Sequence, residues 1–251
     1  DVLTNEEANR IISDFLKKKI GQVVKDPAKA AILADIDHGF GTKRPPIDTG
    51  YFEAYNRDNV ALVNLRAEPI ERITATGVKT SKGEYPLDII VFATGFDAMT
   101  GPLFNLNIAG RGGVALRDVW REGPRSYLGL QVVGFPNLFT VTGPGSPSVL
   151  TNMPVAIEQH VEWITRCIAD MRAAGQTRIE AKPDAVDDWM VQVQEVADRT
   201  LFPKTPHSWY LGANVPGKPR VFMPYIGGMA RYRRICDEVA EKGYEGFALT
   251  A

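Results

Sequence analysis

A glycine-rich dinucleotide fingerprint is missing from these 251 residues. Nucleotide-binding α/β units normally open with a strand, Gly-x-Gly-x-x-Gly and a helix. Here Gly110-Arg111-Gly112-Gly113 has no good strand before it and no long helix after it, so it reads as a turn. Long apolar runs are missing too, which excludes a helical membrane span, and the charged opening is no signal peptide. Cysteine is scarce: Cys167 and Cys236 lie far apart in helix-like sequence, so neither a disulfide framework nor a metal motif is expected, and the setting reads as cytoplasmic. The three histidines, His38, His160 and His207, have no metal-ligand spacing. Charge of either sign is not in excess. Lys and Arg number 29 against 30 Asp and Glu, a net charge of −1, which argues against a broad footprint for nucleic acid or anionic membrane.

What is present is ordinary globular composition, 44% hydrophobic and 24% charged, over a length that suits one large domain or two small ones. Apolar positions Ile11, Ile12, Phe15, Leu16, Ile20 and Val23 recur at helical spacing, predicting a helix over 4–24, and a second fits 27–34. A polar loop runs from Asp37 to Thr49. Strands are expected at 61–65, 70–76 and 78–80. The run Asp88-Ile89-Ile90-Val91-Phe92-Ala93-Thr94-Gly95 predicts a strand buried on both faces, ending where the missing Cβ of glycine lets a ligand approach. That is the kind of place where open α/β sheets bind nucleotides. A further short apolar run, 137–142, reads as a buried strand and leads into Gly143-Pro144-Gly145-Ser146-Pro147. Helices are expected at 152–174 and from Lys182 to about Thr200, a strand at 177–181, and loop over 203–233.

Three segments could carry chemistry. In Gly41-Thr42-Lys43-Arg44-Pro45-Pro46 the prolines stiffen the backbone behind two cations. Arg44 offers a planar fork of donors suited to phosphate or a developing oxyanion. A solvated surface loop is the plainer reading of that dipeptide alone. The Gly143–Pro147 loop precedes a helix whose first-turn N–H groups could face an anion or an electron-rich ring, with Asn152 as cap. Well-formed turn chemistry explains it equally. Trp209 to Lys218 combines Trp, Asn and Lys with small residues, as ligand clamps do and as core-filling loops also do.

Taken together, four stretches in order resemble the Baeyer-Villiger monooxygenases, the class B flavin-dependent ketone and steroid monooxygenases. They are Gly41–Pro46 with Asp48–Glu53 and Tyr55–Val60, Asp88–Phe96, Gly143–Met153, and Trp209–Lys218. The resemblance covers roughly the last half of a family member. It implies an α/β fold that is part of a flavoprotein with two Rossmann-like dinucleotide-binding domains, the N-terminal portion missing. Residues 1–35 would end the helical insertion of the NADPH domain, 36–95 would complete that domain, and 96–251 would form the C-terminal part of the FAD domain. The implied activity uses NADPH, FAD and O2 to insert oxygen beside a ketone carbonyl through a C4a-peroxyflavin, giving an ester or lactone. Arg44 matches the catalytic arginine, and Lys43 the position that reaches the 2′-phosphate of NADPH. Thr94 and Gly95 match the crossover between domains. Gly143, Gly145, Asn152 and Met153 match the flavin-side loop and helix start. Ser148, Val149 and Leu150 match the bulge lining the substrate pocket, and Trp209 with Lys218 a clamp on the nicotinamide nucleotide. No metal site is implied. The N-terminal half of the enzyme is the expected partner. The rival expectations are an N- or S-oxygenase of the same class and a non-catalytic module that binds a partner chain.

Overall fold

The computed structural model describes residues 1–251 and divides into two compact units, Asp1–Gly95 and Phe96–Ala251.

In the first unit, helix α1 (Glu6–Val23) starts where the Asn5 side chain accepts from the Ala8 N–H, with Glu6 and Glu7 at the positive end of the helix dipole. Helix α2 (Pro27–Ala34) begins the same way. The Asp26 carboxylate accepts from the Ala28 N–H at 2.8 Å, and Pro27 occupies a position whose missing N–H costs nothing. Ile20, Val24 and Ala30 bury their side chains between these helices, with Leu33, Phe52 and Tyr55 partly covering them. The short helix α3 (Tyr51–Ala54) is tied back by polar pins. Asn56 accepts from the Lys25 N–H and donates to the Val23 carbonyl, each at 2.8 Å. Lys29 donates to the carbonyls of Tyr55 and Val60. Strands β1 (Ile70–Thr74), β2 (Gly77–Thr80) and β3 (Glu84–Pro86) form an antiparallel meander, with Ile73 opposite Val78 and Val78 opposite Tyr85. Gly77 is obligatory there, because a Cβ would stand 1.9 Å from the Tyr85 carbonyl oxygen.

Two expected strands do not form in this unit. Residues 61–65 are irregular and find no neighbouring strand. The 88–92 run is also irregular and not buried as a strand: Ile89 is 79% exposed, Val91 82% and Phe92 71%. A strand covered on both faces is made by its neighbours, and the only ladders of this chain are β1–β2–β3 and the two-stranded pair described next.

The second unit contains the short helices α4 (Gly101–Asn105) and α5 (Leu116–Val119) and three longer ones: α6 (Met153–Ala173), α7 (Pro183–Asp198) and α8 (Met229–Glu241). Strand β4 (Arg178–Ala181) pairs antiparallel with β5 (Phe247–Thr250), Ile179 opposite Leu249. The core is aromatic. Trp163, Trp189, Tyr225, Tyr232 and Phe247 are buried together with Leu128, Leu130, Cys167 and Cys236. Both indole nitrogens find partners. Trp163 Nε1 donates to the Cys236 carbonyl at 2.8 Å and Trp189 Nε1 to the Gly145 carbonyl at 3.0 Å. A smaller cluster of Leu116, Trp120, Val132 and Phe135 sits beside Leu103, Phe104 and Ile108 of the same unit.

Two further expectations are corrected here. Residues 137–142 form no strand: 137 and 141–142 lie in turns and 138–140 are irregular. The Thr140 N–H is taken by the Leu130 carbonyl and the Thr142 N–H by a histidine ring, so no ladder is left to them. The expected loop over 203–233 yields at its end to α8, whose Tyr232, Cys236 and Val239 recur at i, i+4 and i+7 and face the core.

Candidate functional site

The cationic loop of the first unit is fastened before its cations are reached. Thr42, buried at 1% exposure, closes a turn on the Gly39 carbonyl through both its hydroxyl (2.8 Å) and its N–H (3.2 Å). Gly41 takes φ +76°, the left-handed region that suits glycine. Beyond the turn, Lys43 is part-exposed and Arg44 exposed. Lys43 Nζ lies 3.7 Å from Asp37 Oδ1. The same carboxylate takes His38 Nδ1 at 3.0 Å and Arg66 Nη2 at 3.1 Å. Its hydrogen bond with His38, then the charges of Lys43 and Arg66, hold the Asp37 carboxyl below the usual range against partial burial. Sequence reasoning missed Asp37. Its acidic side chain six residues before a lysine was the only available signal. Thr94 and Gly95 lie exposed in the irregular run, with Gly95 at φ +84°.

In the second unit the Gly143–Ser148 segment is buried throughout. Its backbone is tied to the protein itself. The Gly145 N–H donates to the Met223 carbonyl at 2.7 Å, Ser146 accepts from the Tyr225 N–H, and Trp189 donates to the Gly145 carbonyl. A Cβ on Gly143 would meet Thr140 Oγ1 at 2.4 Å and the Gly129 carbonyl at 2.6 Å. One on Gly145 would meet Ser126 Oγ at 2.9 Å. Both glycines therefore answer to the packing of this chain on itself.

Ser148–Leu150 form a 3₁₀ turn rather than the first turn of α6. Ser148 is buried at φ +43°, its hydroxyl 3.6 Å from Met99 Sδ, while Val149 and Leu150 are part-exposed. Asn152 caps α6, accepting from the Val155 N–H at 3.5 Å, and Pro154 occupies the first turn. No acidic residue stands in that first turn, whereas α1 carries Glu6 and Glu7 and α7 carries Asp184. The positive end of the 21-residue α6 is thus left uncompensated by its own side chains, which suits an electron-rich or anionic group.

The Trp209–Lys218 segment begins with a one-turn 3₁₀ helix, Trp209–Leu211, capped by Ser208 and closed by Gly212 at φ +69°. Trp209 is part-exposed, its ring 4.3 Å from that of Tyr210. The Lys218 stem packs on Gly212, and its ammonium pairs with Asp97 and reaches the Ala98 carbonyl at 3.3 Å. Asn214 donates to the Phe96 carbonyl at 3.0 Å. Lys218 therefore serves as a latch on residues 96–98 in this structure, a partner that the sequence did not suggest. Within each unit the structure groups the expected residues as three short constellations: Lys43 and Arg44 in one, Gly143 to Met153 and Trp209 to Lys218 in the other.

No family profile matches the sequence. Individual proteins do. A Baeyer-Villiger monooxygenase of Pseudooceanicola batsensis is 45% identical over 97% of this chain and 44% of its own length. A phenazine N-monooxygenase of Lysobacter antibioticus is 42% identical over 99% of this chain and 45% of its own. The solved structure of OTEMO in complex with FAD and NADP superposes with a TM-score of 0.94 at 43% identity, covering all of this chain and 46% of that one. The chain spans a little under half the length of the proteins it matches, and the matched part is their C-terminal half. In sequence and in fold, the whole of this chain matches the C-terminal half of Baeyer-Villiger monooxygenases.

Proposed function

We propose that the complete enzyme containing this chain is an NADPH- and FAD-dependent Baeyer-Villiger monooxygenase that inserts one oxygen of O2 beside a ketone carbonyl. The observation that carries the reading is the Lys43-Arg44 pair on a turn fixed by Thr42, in a chain 45% identical to a protein of that activity. FAD, when bound, supplies the activated oxygen, and NADPH the electrons. The residues of this chain have separate tasks. Arg44, always charged, stabilises negative charge that gathers on the carbonyl oxygen. Lys43 binds the 2′-phosphate of NADPH. It is the most distant of the three groups on Asp37, so it can leave while His38 and Arg66 still satisfy that carboxylate. In the second unit, the uncompensated start of α6 at Asn152 and Met153 offers its positive end to the electron-rich edge of the flavin. Gly143 and Gly145 allow the loop before it to fold tightly. Ser148, Val149 and Leu150 shape the substrate pocket. Trp209 contacts the nicotinamide nucleotide, and Lys218 holds that loop through Asp97.

Residues 1–35 and 36–95 belong to the NADPH domain in this reading, 96–251 to the FAD domain, with Thr94 and Gly95 at the crossover. The exposed side chains of Ile89, Val91 and Phe92 are covered by the remainder of the enzyme as strand neighbours. A cytoplasmic setting fits Cys167 and Cys236, which are buried, unpaired thiols, and no helix is long and apolar enough to cross a membrane.

The test is Arg44→Ala in the complete enzyme. Flavin reduction by NADPH should persist while ester formation falls by about 10²–10³ or more, the scale set by losing one key electrostatic donor. Normal ketone turnover by that variant would sink the assignment. The 42% identity to a phenazine N-monooxygenase favours one second reading, oxygenation of an aromatic nitrogen. Offering a cyclic ketone and a nitrogen heterocycle to the same enzyme separates the two.

A further inference from the structure

We propose that Asn9 is a positioning residue: an amide on α1 fixes the turn from which Lys43 projects, and so sets how strongly the enzyme prefers a 2′-phosphorylated nucleotide. The inference rests on the reading of Lys43 given above and deepens it.

Asn9 stands on α1, a place for which asparagine has low intrinsic preference, and only 4% of it is exposed. Each of its polar groups is engaged. Nδ2 donates to the Val2 carbonyl at 2.7 Å and to the Phe40 carbonyl at 2.9 Å. Oδ1 accepts from the Ser13 hydroxyl at 3.2 Å, and that hydroxyl accepts from the Phe40 N–H at 3.1 Å. Phe40 is thus held on α1 through both its carbonyl and its N–H. Gly39 lies against the amide so closely that a Cβ would come within 2.3 Å of Oδ1. Thr42 then closes the turn on Gly39. Only Gly41 and Thr42 separate Phe40 from Lys43, and the backbone between them has little freedom.

A buried amide with every group satisfied is costly to disturb, because each lost partner leaves another polar group unpaired. Loss of the Asn9 amide would leave the Phe40 carbonyl without its partner and the Ser13 hydroxyl without its acceptor, letting the turn move. Displacements of about 1 Å in positioning groups can cost large factors in rate or affinity. Lys43 recognises phosphate as a point charge, so its effect on selectivity depends directly on where its backbone stands. Asn9 touches no nucleotide in this scheme; it acts through the turn.

The experiment measures the affinities of the complete enzyme for NADP+ and NAD+ by titration calorimetry. Asn9→Ala should lower the preference for NADP+ over NAD+ by about tenfold, the scale of a modest misplacement. In a Lys43→Ala background the same substitution should change the preference no further. A preference within about twofold of the parent, whatever the change in melting temperature, overturns the proposal and leaves Asn9 a structural pin. Should Asn9→Ala fail to fold, Ser13→Ala removes the hydroxyl bridge and keeps the amide. It should lower the preference by about threefold, a loss on the scale of one hydrogen bond, and an unchanged value overturns the proposal equally. Lys43→Ala alone separates the two levels. If it leaves the preference unchanged, the reading of Lys43 falls. If it lowers the preference and Asn9→Ala does not, only the role of Asn9 falls.

Discussion

In residues 1–95 only Ile20, Val24 and Ala30 bury apolar side chains, and the turns are pinned by Asn9, Asn56, Lys29 and Thr80. In residues 96–251 a continuous cluster gathers three helices and a strand pair around Trp163, Trp189, Tyr225 and Tyr232. The first unit keeps its shape through caps and side-chain-to-backbone bonds, each worth about 1 kcal/mol. The second keeps it through large buried rings, each contributing several times as much. Positioning in the first unit therefore rests on individual polar contacts, whereas the Gly143 loop of the second inherits the rigidity of the core behind it.

The largest effect expected is at that core. Trp189 is 2% exposed, stacks on Tyr225 at 5.1 Å and donates to the Gly145 carbonyl. Trp189→Ala should cost about 3–5 kcal/mol in denaturant unfolding. Hydrogen exchange at the Gly145 N–H should speed up while amides of α1 keep their rates. Equal acceleration in both units would break the contrast.

His160 supplies a pH-dependent version. It is fully buried, and the Thr142 N–H donates to its Nδ1 at 2.9 Å, so the neutral ring carries its proton on Nε2, which faces Tyr232 Oη at 2.8 Å. Tyr232 passes the chain on to the Leu128 carbonyl. Burial pushes the imidazole pKa down from 6.5 to about 4. Because the folded value is depressed, the unfolded chain takes up the proton first as pH falls. Stability from this residue is complete above pH 6.5 and is lost as pH drops toward 4, by roughly 3 kcal/mol over that window. The difference in unfolding free energy between parent and His160→Gln, followed from pH 7.5 to 4, should shrink by that amount. A constant difference would show that the ring is not held neutral.

In the first unit, Gly77→Ala places a methyl against the Tyr85 carbonyl and should cost about 1–3 kcal/mol as an overpacked site. Exchange should rise in β1–β3 alone. The smallest effect expected is Asp26→Ala, about 1 kcal/mol from the α2 cap, read as fraying of that helix. A change as large as that of Trp189→Ala would mean that caps and core weigh alike, against the contrast drawn above.

Legibility followed the same division. Helices α1, α2, α6 and α7 were readable because their signals are local: Asn5, Asp26 and Asn152 at the starts, Pro27, Pro154 and Pro183 just inside, apolar residues at helical spacing. Helix α8 was missed because Gly227 and Gly228 and a run of arginines disguise its apolar stripe of Tyr232, Cys236 and Val239. The candidate site was legible as short strings, Lys43-Arg44 above all. Its supports were not, since Asn9, Asp37 and Asp97 reach their partners across 31, 6 and 121 residues of chain.

The sequence by itself determined helices α1, α2, α6 and α7 and which family the four motifs resemble, because capping chemistry and apolar spacing act within a few residues. Only tertiary structure decided that 137–142 forms no strand and that Gly143 and Gly145 answer to Thr140, Gly129 and Ser126. It also decided the state of the Asp88–Gly95 run. A strand buried on both faces depends on ladders from elsewhere, and an apolar run cannot supply its own. Within these residues it stands open.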